Sequence, residues 1–427
     1  MLELGCGEGD LLASLQPATG IGVDFSEAMI EIARRKHPSL QFVQADAHDL
    51  PDFDVVVDVI VLSDLLHDAW DVQALLDGLQ RFCHHGTRII INFYSRLWEL
   101  PLAAVAKLGL ARPVLKQNWL TAADVTNLLH LSDFRSIRQW QEVLCPLPIP
   151  LVEPLSNRVL VRMWGIRHFA LANFVMARPL RPRVMPDPSP RVSVVVAARN
   201  EAGNVSAIFD RVPEMGAGTE LIFVEGHSAD DTYGTIERAI QAHPERNARL
   251  FHQPGRGKGD AVRTGFGAAT GDILMILDAD LTVPPEDLPR FFEAIRSNKG
   301  EFINGVRLTY PMEERAMRFA NLIGNKFFSL AFSWLLEQPI KDTLCGTKVL
   351  RRSAYQSVVA NRAYFGDFDP FGDFDLLFGA AKLGLEIVEV PIRYRERTYG
   401  TTNIQRWRHG WLLLKMCVFA AGRIKFV

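Results

Sequence analysis

The stretch Asp272-Ile273-Leu274-Met275-Ile276-Leu277-Asp278-Ala279-Asp280-Leu281-Thr282-Val283-Pro284-Pro285 decides the fold of the region around it. Its apolar run, 273–277, is short and rich in strand-forming residues, as expected of a strand buried on both faces. The two prolines then end the strand and favour a helix start. Two carboxylates at the end of a buried strand offer the oxygen ligands that Mg²⁺ or Mn²⁺ prefers, usually shared with substrate phosphates. The pattern predicts a divalent-metal site at Asp278 and Asp280; the alternative is a solvated turn.

Similar strand patterns precede this stretch and alternate with helical patterns, which predicts an open α/β sheet. They cover Val192–Ala198, Glu220–Val224 and Ala248–His252. Polar residues follow each strand, at the edge where such sheets bind ligands. They are Arg199, Asn200 and Glu201 after the first strand, Glu225 and Asp230 after the second, and Arg256 and Lys258 in a glycine-rich loop after the third. The acidic groups can accept hydrogens from the base and the ribose, and the basic loop can lie along a diphosphate that a cation also binds. Together they predict a site for a substituted nucleoside diphosphate.

Four ordered motifs in this half resemble the family 2 glycosyltransferases of the GT-A fold, over about residues 191–408. They are 193–201 (SVVVAARNE), 224–232 (VEGHSADDT), 257–261 (GKGDA) and 278–280 (DAD). Within that family the sequence looks closest to the dolichyl- and undecaprenyl-phosphate sugar transferases. The resemblance implies a nucleotide-sugar donor, a divalent metal and inversion at the anomeric carbon. It assigns the donor to Arg199, Asn200, Glu201, Glu225, Asp230, Lys258 and Asp278, and the metal to Asp278 and Asp280. Glu225-Gly226-His227-Ser228 departs from the usual Asp-Asp-Gly-Ser, which leaves the base of the donor open.

The region after residue 300 carries the predicted acceptor side. Asn304–Arg307 ends a strand, a long amphipathic helix is predicted over Met312–Leu336, and Asp342–Lys348 resembles the acceptor-side loop of the family. By the same resemblance Asp373 is the candidate general base, with Asp375 as the second choice, where the acceptor is a hydroxyl; a helix-capping carboxylate is the alternative. Arg393, Arg395 and Arg397 alternate along a predicted strand, so their side chains should share one face and bind phosphate together with Arg307. The alternative is a solvated edge strand protected by its charges.

A different pattern opens the chain. Met1–Leu4 resembles the end of a strand and leads into Gly5-Cys6-Gly7-Glu8-Gly9. Such glycines let the backbone turn tightly and approach a ligand. Asp24 ends the second strand, where a carboxylate can accept both ribose hydroxyls of a nucleoside, and Asp46 ends the third, where it can accept an adenine amino hydrogen. The glycine turn alone fits a nicotinamide protein equally well.

Together, these features resemble the class I S-adenosylmethionine-dependent methyltransferases over roughly the first 140 residues. The resemblance implies that Gly5, Gly7 and Gly9 hold the methionine part, Asp24 the ribose and Asp46 the adenine. Members of that family have helices before the glycine strand, whereas this chain begins inside it. The sequence therefore predicts either an upstream start or an N-terminally truncated domain, whose short central strand should pair poorly.

The expected architecture is α/β, with two doubly wound domains: a Rossmann-like methyltransferase fold, 1–178, followed by a GT-A nucleotide-diphospho-sugar transferase fold, 192–403. A proline-rich linker, 179–191, separates them, since its proline density forbids helix. Residues 404–427 predict a basic amphipathic helix with tryptophans, suited to a membrane headgroup interface. The net charge is −2, so no excess of positive charge points to nucleic acid, and five scattered cysteines indicate a reducing cytosol.

The expected function is metal-dependent transfer of a sugar, with inversion, from a nucleotide diphosphate donor to a polyprenyl phosphate or another membrane-associated acceptor such as a hydroxyl. The expected location is cytoplasmic, peripheral on the inner membrane face, with S-adenosylmethionine as a second cofactor of the first domain. Two other functions stay open. A nucleotidyltransferase would want a GxGTR-type loop, which Ala197-Ala198-Arg199-Asn200 does not supply, and a non-catalytic nucleotide-binding scaffold would not need the aspartate pair.

Overall fold

The computed structural model describes residues 1–107, 117–180, 189–307, 319–362, 374–395, 397, 399 and 406–426, with side chains for all of these except 319–325 and 406–410. The chain divides into two compact units, Met1–Pro186 (unit 1) and Asp187–Val427 (unit 2). In each unit the described residues form a seven-stranded sheet with helices, which confirms the predicted α/β class.

Unit 1 has a mostly parallel sheet in the order β3-β2-β1-β4-β5-β7-β6. The strands are β1 (Leu2–Leu4), β2 (Ile21–Asp24), β3 (Gln41–Gln44), β4 (Val57–Ser63), β5 (Cys83–Tyr94), β6 (Phe134–Glu142) and β7 (Ala172–Pro179); the helices are α1 (Asp10–Ser14), α2 (Glu27–Lys36), α3 (Val72–Gly78), α4 (Glu99–Lys107), α5 (Ala122–Leu131) and α6 (Val152–Arg158). Only β7 runs antiparallel to its neighbours, and it lies between β5 and β6.

The expectation that the short first strand pairs poorly is wrong. β1 is central, and each of its residues pairs in parallel with both neighbours, Leu2 with Ile21 of β2 and with Ile60 of β4. Leu2 and Leu4 are buried in the core of unit 1. Three residues are enough because the flanking strands supply partners on both sides, so each backbone amide and carbonyl that faces a neighbour is used.

Unit 2 has a sheet in the order β10-β9-β8-β11-β13-β12-β14, in which β13 is antiparallel to β11 and β12. The strands are β8 (Val192–Ala198), β9 (Thr219–Glu225), β10 (Asn247–His252), β11 (Ile273–Asp278), β12 (Phe302–Val306), β13 (Lys348–Arg351) and β14 (Ile387–Pro391); the helices are α7 (Val205–Arg211), α8 (Thr232–Ala242), α9 (Lys258–Ala268), α10 (Leu288–Arg296), α11 (Phe319–Leu336), α12 (Arg352–Ala360), α13 (Phe374–Lys382) and α14 (Arg406–Ile424).

Strand β11 is buried on both faces, as its apolar run predicts. Leu274 and Ile276 belong to one core cluster of unit 2, whereas Met275 and Leu277 belong to the other. Because successive side chains of a strand point to opposite faces, each face of the sheet receives alternate residues of the run. The parallel pairing of β11 with β8 places Asp278 beside Ala197, so the carboxylate lies at the carboxyl edge of the sheet.

Two C-terminal expectations differ from the structure. Strand β14 ends at Pro391, so Arg393, Arg395 and Arg397 follow it and do not lie on a strand, because the chain turns away from β12 after Val306 pairs with Pro391. The long helix predicted over Met312–Leu336 is described only from Phe319, and residues 308–318 lie outside the described part of the chain.

Helix α14 has two different faces. Leu413, Met416 and Ala420 are buried in the core of unit 2, where α14 packs against α11. Trp411 and Val418 are exposed, and the Lys415 ammonium lies 5.7 Å from the centre of the Trp411 ring. One face of this helix is therefore part of the domain core, and the other presents apolar side chains to the surroundings. No helix in the described part of the chain combines the length and apolarity needed to cross a bilayer.

Candidate active sites at two sheet edges

Asp278 lies at the carboxyl end of β11 against an internal cation. The Lys258 ammonium, at the first residue of α9, is 2.5 Å from Asp278 Oδ1. Burial opposes ionisation of this carboxyl, but the charges of Lys258, Lys348 and Arg307 outweigh it and hold the pKa of Asp278 below its usual value. Lys348 is fully buried and donates a hydrogen bond to the carbonyl of Cys345 (2.5 Å). The sequence offered no role for Lys348, although it lies in the stretch 342–348 that resembles the acceptor-side loop.

Gly346 leaves room for the Asp278 carboxylate. A Cβ on this residue would lie 2.0 Å from Asp278 Oδ2 and 2.4 Å from the Lys258 ammonium. Any other residue would displace one of the two charged groups. The glycine backbone can therefore lie directly against the Asp278 carboxylate and the Lys258 ammonium.

Asp280 is bound by a cation from a distant part of the chain. The Arg397 guanidinium is 2.6 Å from Asp280 Oδ2 and 3.2 Å from Glu201 Oε1. The other oxygen of Asp280 accepts hydrogen bonds from the Thr282 amide (3.1 Å) and hydroxyl (2.8 Å). Burial raises the pKa of Glu201, although Arg397 and a hydrogen bond from Asn204 oppose the rise. The structure thus brings two predicted carboxylates from separate motifs, Glu201 and Asp280, together on the guanidinium of Arg397.

Asp230 lies beside the same segment. Its carboxylate accepts hydrogen bonds from Thr232, the amide of Ala202 (3.4 Å) and the hydroxyl of Tyr399 (3.4 Å). Burial opposes ionisation, but these hydrogen bonds keep the pKa of Asp230 below its usual value. The Tyr399 ring packs on Gly203, where a Cβ would approach it to 2.5 Å. Residues 397 and 399 therefore contact the first two loops of the site edge.

Glu225 and Asn200 connect the loops after β8 and β9. The Ser228 amide donates to Glu225 Oε1 (2.6 Å), the Asn200 amide donates to the Ser228 hydroxyl (2.9 Å), and the Ala229 amide donates to Asn200 Oδ1 (2.7 Å). Burial opposes ionisation of Glu225, but the Ser228 bonds lower its pKa. Neighbouring Arg199 is exposed. Glu225 therefore holds its loop together besides being a candidate for donor binding.

Arg307 lies in a buried ion pair. Its guanidinium contacts both oxygens of Asp342, at 2.7 and 2.8 Å, and it packs on the Tyr394 ring. Burial opposes the charges of both groups, yet each partner stabilises the other, so the pKa of Arg307 is raised and that of Asp342 is lowered. Sequence reasoning assigned Arg307 to phosphate and missed Asp342. The structure shows that Arg307 already has a bidentate carboxylate partner.

The other predicted arginines lie in two places. Arg393 and Arg395 line a pocket of about 330 Å³ with Pro284, Glu286, Asp287 and Arg290, while Arg397 lies at Asp280. The amide of Arg395 donates to the Thr282 carbonyl (3.0 Å), which ties this segment to the loop after Asp280.

Of the two candidate bases, Asp375 is described and Asp373 lies outside the described residues. Asp375 is in the first turn of α13, and one of its oxygens lies 3.8 Å from Arg263 and 3.9 Å from Arg362. Its carboxylate is thus held between two guanidiniums, an arrangement that suits a positioning role as well as a base.

The site edge of unit 1 is built on backbone geometry. Gly5, Gly7 and Gly9 all have positive φ, at 72°, 50° and 78°. Gly9 also packs on Phe42, whose ring would be 2.5 Å from a Cβ. At Gly7, by contrast, a Cβ would meet no described atom within 4 Å, so the backbone there borders open space. That combination fits a ligand that lies along the loop.

Asp24 and Asp46 accept hydrogen bonds from the protein's own groups. The amides of Gly7 and Ser26 each donate to one oxygen of buried Asp24 (2.9 Å each). Asp46 is exposed, and the amide and imidazole of His48 both donate to it, which lowers its pKa. Asp24 therefore fixes the glycine loop and keeps lone pairs that can accept further hydrogen bonds, whereas Asp46 remains open at the surface.

The donor groups of unit 2 fit a divalent cation. Among the described residues no group of three or more His, Cys, Asp and Glu side chains could hold a metal. Two carboxylates are nevertheless enough for Mg²⁺ or Mn²⁺ when substrate phosphates and water complete the coordination. In the structure each of these carboxylates is bound by a cationic side chain, Asp278 by Lys258 and Asp280 by Arg397.

Both units of the chain have matches among known proteins. Glycosyl transferase family 2 matches residues 193–359, and a methyltransferase domain matches residues 1–86. A dolichyl-phosphate hexose transferase of Haloferax volcanii is 30% identical over 53% of this chain and 92% of its own length. A dolichol-phosphate mannosyltransferase of Pyrococcus furiosus is 27% identical over 50% of this chain, and the match spans 59% of that protein. A solved structure of glucosyl-3-phosphoglycerate synthase from Mycobacterium tuberculosis, with Mn²⁺ and UDP, aligns with a TM-score of 0.41 and 20% identity over 55% of this chain and 80% of that one.

The family match covers Glu201, which follows β8, and Glu225 and Asp278, which end β9 and β11; these elements form the site edge of unit 2. The methyltransferase match covers the glycine loop, Asp24 and Asp46. The chain therefore belongs to glycosyl transferase family 2 and carries a methyltransferase domain before its glycosyltransferase domain.

Proposed function

We propose that unit 2 transfers a sugar from a nucleoside diphosphate donor to a polyprenyl phosphate, with inversion at the anomeric carbon and with Mg²⁺ or Mn²⁺ at Asp278 and Asp280. The observation that carries the proposal is the pair of carboxylates at the end of β11, each bound by a cationic side chain of the same chain. A metal held there, when bound, stabilises the charge that develops on the departing diphosphate.

The residues around the pair have separate tasks in this proposal. Lys258 begins α9 and points its ammonium at Asp278, so it can pass to a donor phosphate when a metal takes its place. Glu201, Glu225 and Asp230 lie at the ends of β8 and β9, where they accept hydrogens from the nucleoside. Asp278 completes the donor site.

The acceptor needs little activation. A phosphate monoester has a second pKa of about 6, so a polyprenyl phosphate is a doubly charged nucleophile near neutral pH and needs no general base. Arg393 and Arg395 line the pocket beside the loop that follows Asp280 and offer cations for this phosphate. Asp373 and Asp375 then orient the acceptor; with a hydroxyl acceptor, Asp373 would be essential.

A membrane-borne acceptor agrees with helix α14. Its exposed Trp411 and Val418, with Lys415 beside the tryptophan, form the kind of face that lies in a headgroup region. We therefore propose a peripheral position at the cytoplasmic face of the membrane.

The test is thermal shift of the full chain against UDP-, GDP- and dTDP-sugars, with and without Mn²⁺, followed by a transfer assay with a short-chain polyprenyl phosphate. One donor should stabilise the protein only when metal is present. Asp280→Asn should remove that shift and lower transfer by about 10²-fold or more, because the metal loses a charged ligand. Asp272→Asn, at the other end of the same strand, is the matched control. A shift that does not depend on metal, or full turnover in Asp280→Asn, would refute the proposed metal site, and silence with every donor would favour a scaffold.

We further propose that unit 1 binds S-adenosylmethionine along Gly5–Gly9. The open space beside Gly7 supports this proposal, since a ligand has to approach the backbone there. Calorimetric titration with S-adenosylmethionine measures it, and Gly7→Val is expected to abolish the heat of binding by filling that space.

A further inference from the structure

Unit 1 contains an insertion between β6 and β7 that lies at its site edge. β6 ends at Glu142 and β7 begins at Ala172, and Ala172 also pairs with Tyr94, the last residue of β5. Residues 143–170 therefore leave and re-enter the sheet at the carboxyl end of β5. The Leu171 amide donates to the Val143 carbonyl (2.8 Å) and closes the insertion at its base.

The insertion is ordered but turns apolar side chains outward. Asn157 of α6 accepts a hydrogen bond from the Cys145 amide and donates one to its carbonyl, both 2.9 Å, which fixes the helix on the preceding loop. Its outward-facing apolar side chains include Leu147, Leu151, Leu155, Met163, Trp164 and Phe169. Leu151 and Trp164 are 84% and 80% exposed. A soluble surface rarely presents this many large apolar side chains within one short segment.

Helix α4 and the turn before it extend this surface. The Trp98 indole donates to the Phe169 carbonyl (2.9 Å), and the Ser95 amide donates to the Leu171 carbonyl (2.7 Å). Leu97 and Leu100 follow directly, with 62% and 80% of their surface exposed. We call residues 96–107 together with 143–170 the insertion surface.

The charge of the insertion surface differs from that of the whole chain. Its two segments contain five basic residues, Arg96, Lys107, Arg158, Arg162 and Arg167, and two acidic residues, Glu99 and Glu153. Its formal charge is thus +3, while the whole chain carries −2. Arg162 pairs with Glu142 (2.5 Å), and Arg96 and Arg158 are exposed. Exposed cations therefore lie in the same two segments as the exposed apolar side chains, which include Trp164.

We propose that the insertion surface docks unit 1 on an anionic lipid bilayer. Apolar side chains insert at the level of the headgroups, a tryptophan is favoured at that depth, and arginines beside them attract anionic lipid. The charge complementarity selects an anionic bilayer over an uncharged one and over a second copy of this positively charged surface, because two such copies would repel. This surface belongs to unit 1 and α14 belongs to unit 2, so the proposal gives unit 1 a membrane contact of its own.

Flotation of the full chain with vesicles tests the proposal. Binding should be strong to vesicles that contain phosphatidylglycerol and weak to pure phosphatidylcholine. Leu151→Ser and Trp164→Ser each remove one inserted side chain, so each should weaken the partition coefficient by about tenfold. Leu131→Ser is the matched control. Leu131 is 55% exposed at the end of α5 and is not part of the insertion surface, so its exchange should change nothing.

The same measurement in a Trp411→Ser background separates the insertion surface from α14. Leu151→Ser should lower the partition coefficient both in the wild-type chain and in the Trp411→Ser chain. Unchanged partition of both insertion variants, or equal binding to neutral and anionic vesicles, would overturn the proposal. The proposal would also be overturned if the protein were a dimer in solution and Trp164→Ser converted it to a monomer without loss of vesicle binding. A second copy of the chain, and not a bilayer, would then cover the insertion surface. Melting temperatures of the variants should match the wild type, since the replaced side chains are exposed.

Discussion

The two sheet edges use acidic residues in different ways. In unit 2, Asp278 and Asp280 are bound by Lys258 and Arg397, cations that come from other elements. In unit 1, Asp24 accepts hydrogen bonds from two backbone amides, and the glycine loop beside it borders open space at Gly7. A carboxylate pair that is already neutralised by side chains has to release those side chains when another cation binds. A loop held by its own backbone is shaped before the ligand arrives. Unit 2 is thus organised by charge and unit 1 by backbone conformation.

The largest expected effect breaks the charge organisation of unit 2 at its buried pair. Asp342→Ala leaves the Arg307 guanidinium buried without its carboxylate, so the free energy of unfolding of unit 2 should fall by about 3–5 kcal/mol. Hydrogen exchange in β12 measures the loss, and exchange in β4 of unit 1 should not change. Asp287→Ala removes an acidic partner of Arg290 at the surface and should change stability by less than about 1 kcal/mol.

A double variant, Arg307→Met with Asp342→Leu, sharpens this result. It removes both charges and should recover most of the lost stability. If it also transfers sugar at the wild-type rate, then Arg307 serves the fold and its predicted contact with phosphate is wrong. If stability returns while transfer is lost, the predicted phosphate role stands.

A second, smaller effect concerns a buried acid of unit 1. Burial raises the pKa of Glu3 on β1 to about 7, from an ordinary value near 4.5. The Glu3 carboxyl therefore binds a proton more tightly in the folded state than in the unfolded state. The contribution of this proton binding to stability is complete below pH 4.5 and is lost as the pH rises through about 7. The shift corresponds to about 3 kcal/mol. Glu3→Gln should flatten this loss, measured by hydrogen exchange in β1 and β4 between pH 5 and 8. Glu31→Gln, exposed on α2, should leave the pH profile as it is; an unaltered profile in Glu3→Gln would contradict the assignment.

The smallest effect tests cation exchange directly. Arg397→Gln removes the guanidinium from Asp280, so Mn²⁺ no longer competes with it, and the metal should bind about tenfold more tightly without donor. Isothermal titration with Mn²⁺ alone measures this change. Arg395→Gln is the control, because Arg395 lies in the neighbouring pocket beside Glu286. Weaker metal binding in Arg397→Gln would mean that this arginine positions the carboxylates for the metal and does not compete with it.

Much of the architecture follows from local sequence pattern. The apolar run before Asp278 predicts a doubly buried strand, and the structure divides its side chains between two cores. Ordered motifs after β8, β9 and β11 place Glu201, Glu225 and Asp278 at one edge, because carboxyl ends of parallel strands meet there. These inferences succeed because strand period and strand direction are local properties of the chain.

The errors concern residues whose partners are distant in sequence. The short length of β1 predicts poor pairing, but its pairing depends on β2 and β4 and not on its own length. The alternation of Arg393, Arg395 and Arg397 resembled a strand, but the chain leaves the sheet after Pro391.

By itself, the sequence determined the two α/β units, the acidic pair after β11 and the glycine loop after β1. Only the tertiary structure decided that Arg397 contacts Asp280, that Asp342 neutralises Arg307 and that Gly346 leaves room at Asp278. The physical reason is that period and propensity act between near neighbours, whereas a charge in a low-dielectric interior is paired with whichever opposite charge the fold brings within a few ångströms.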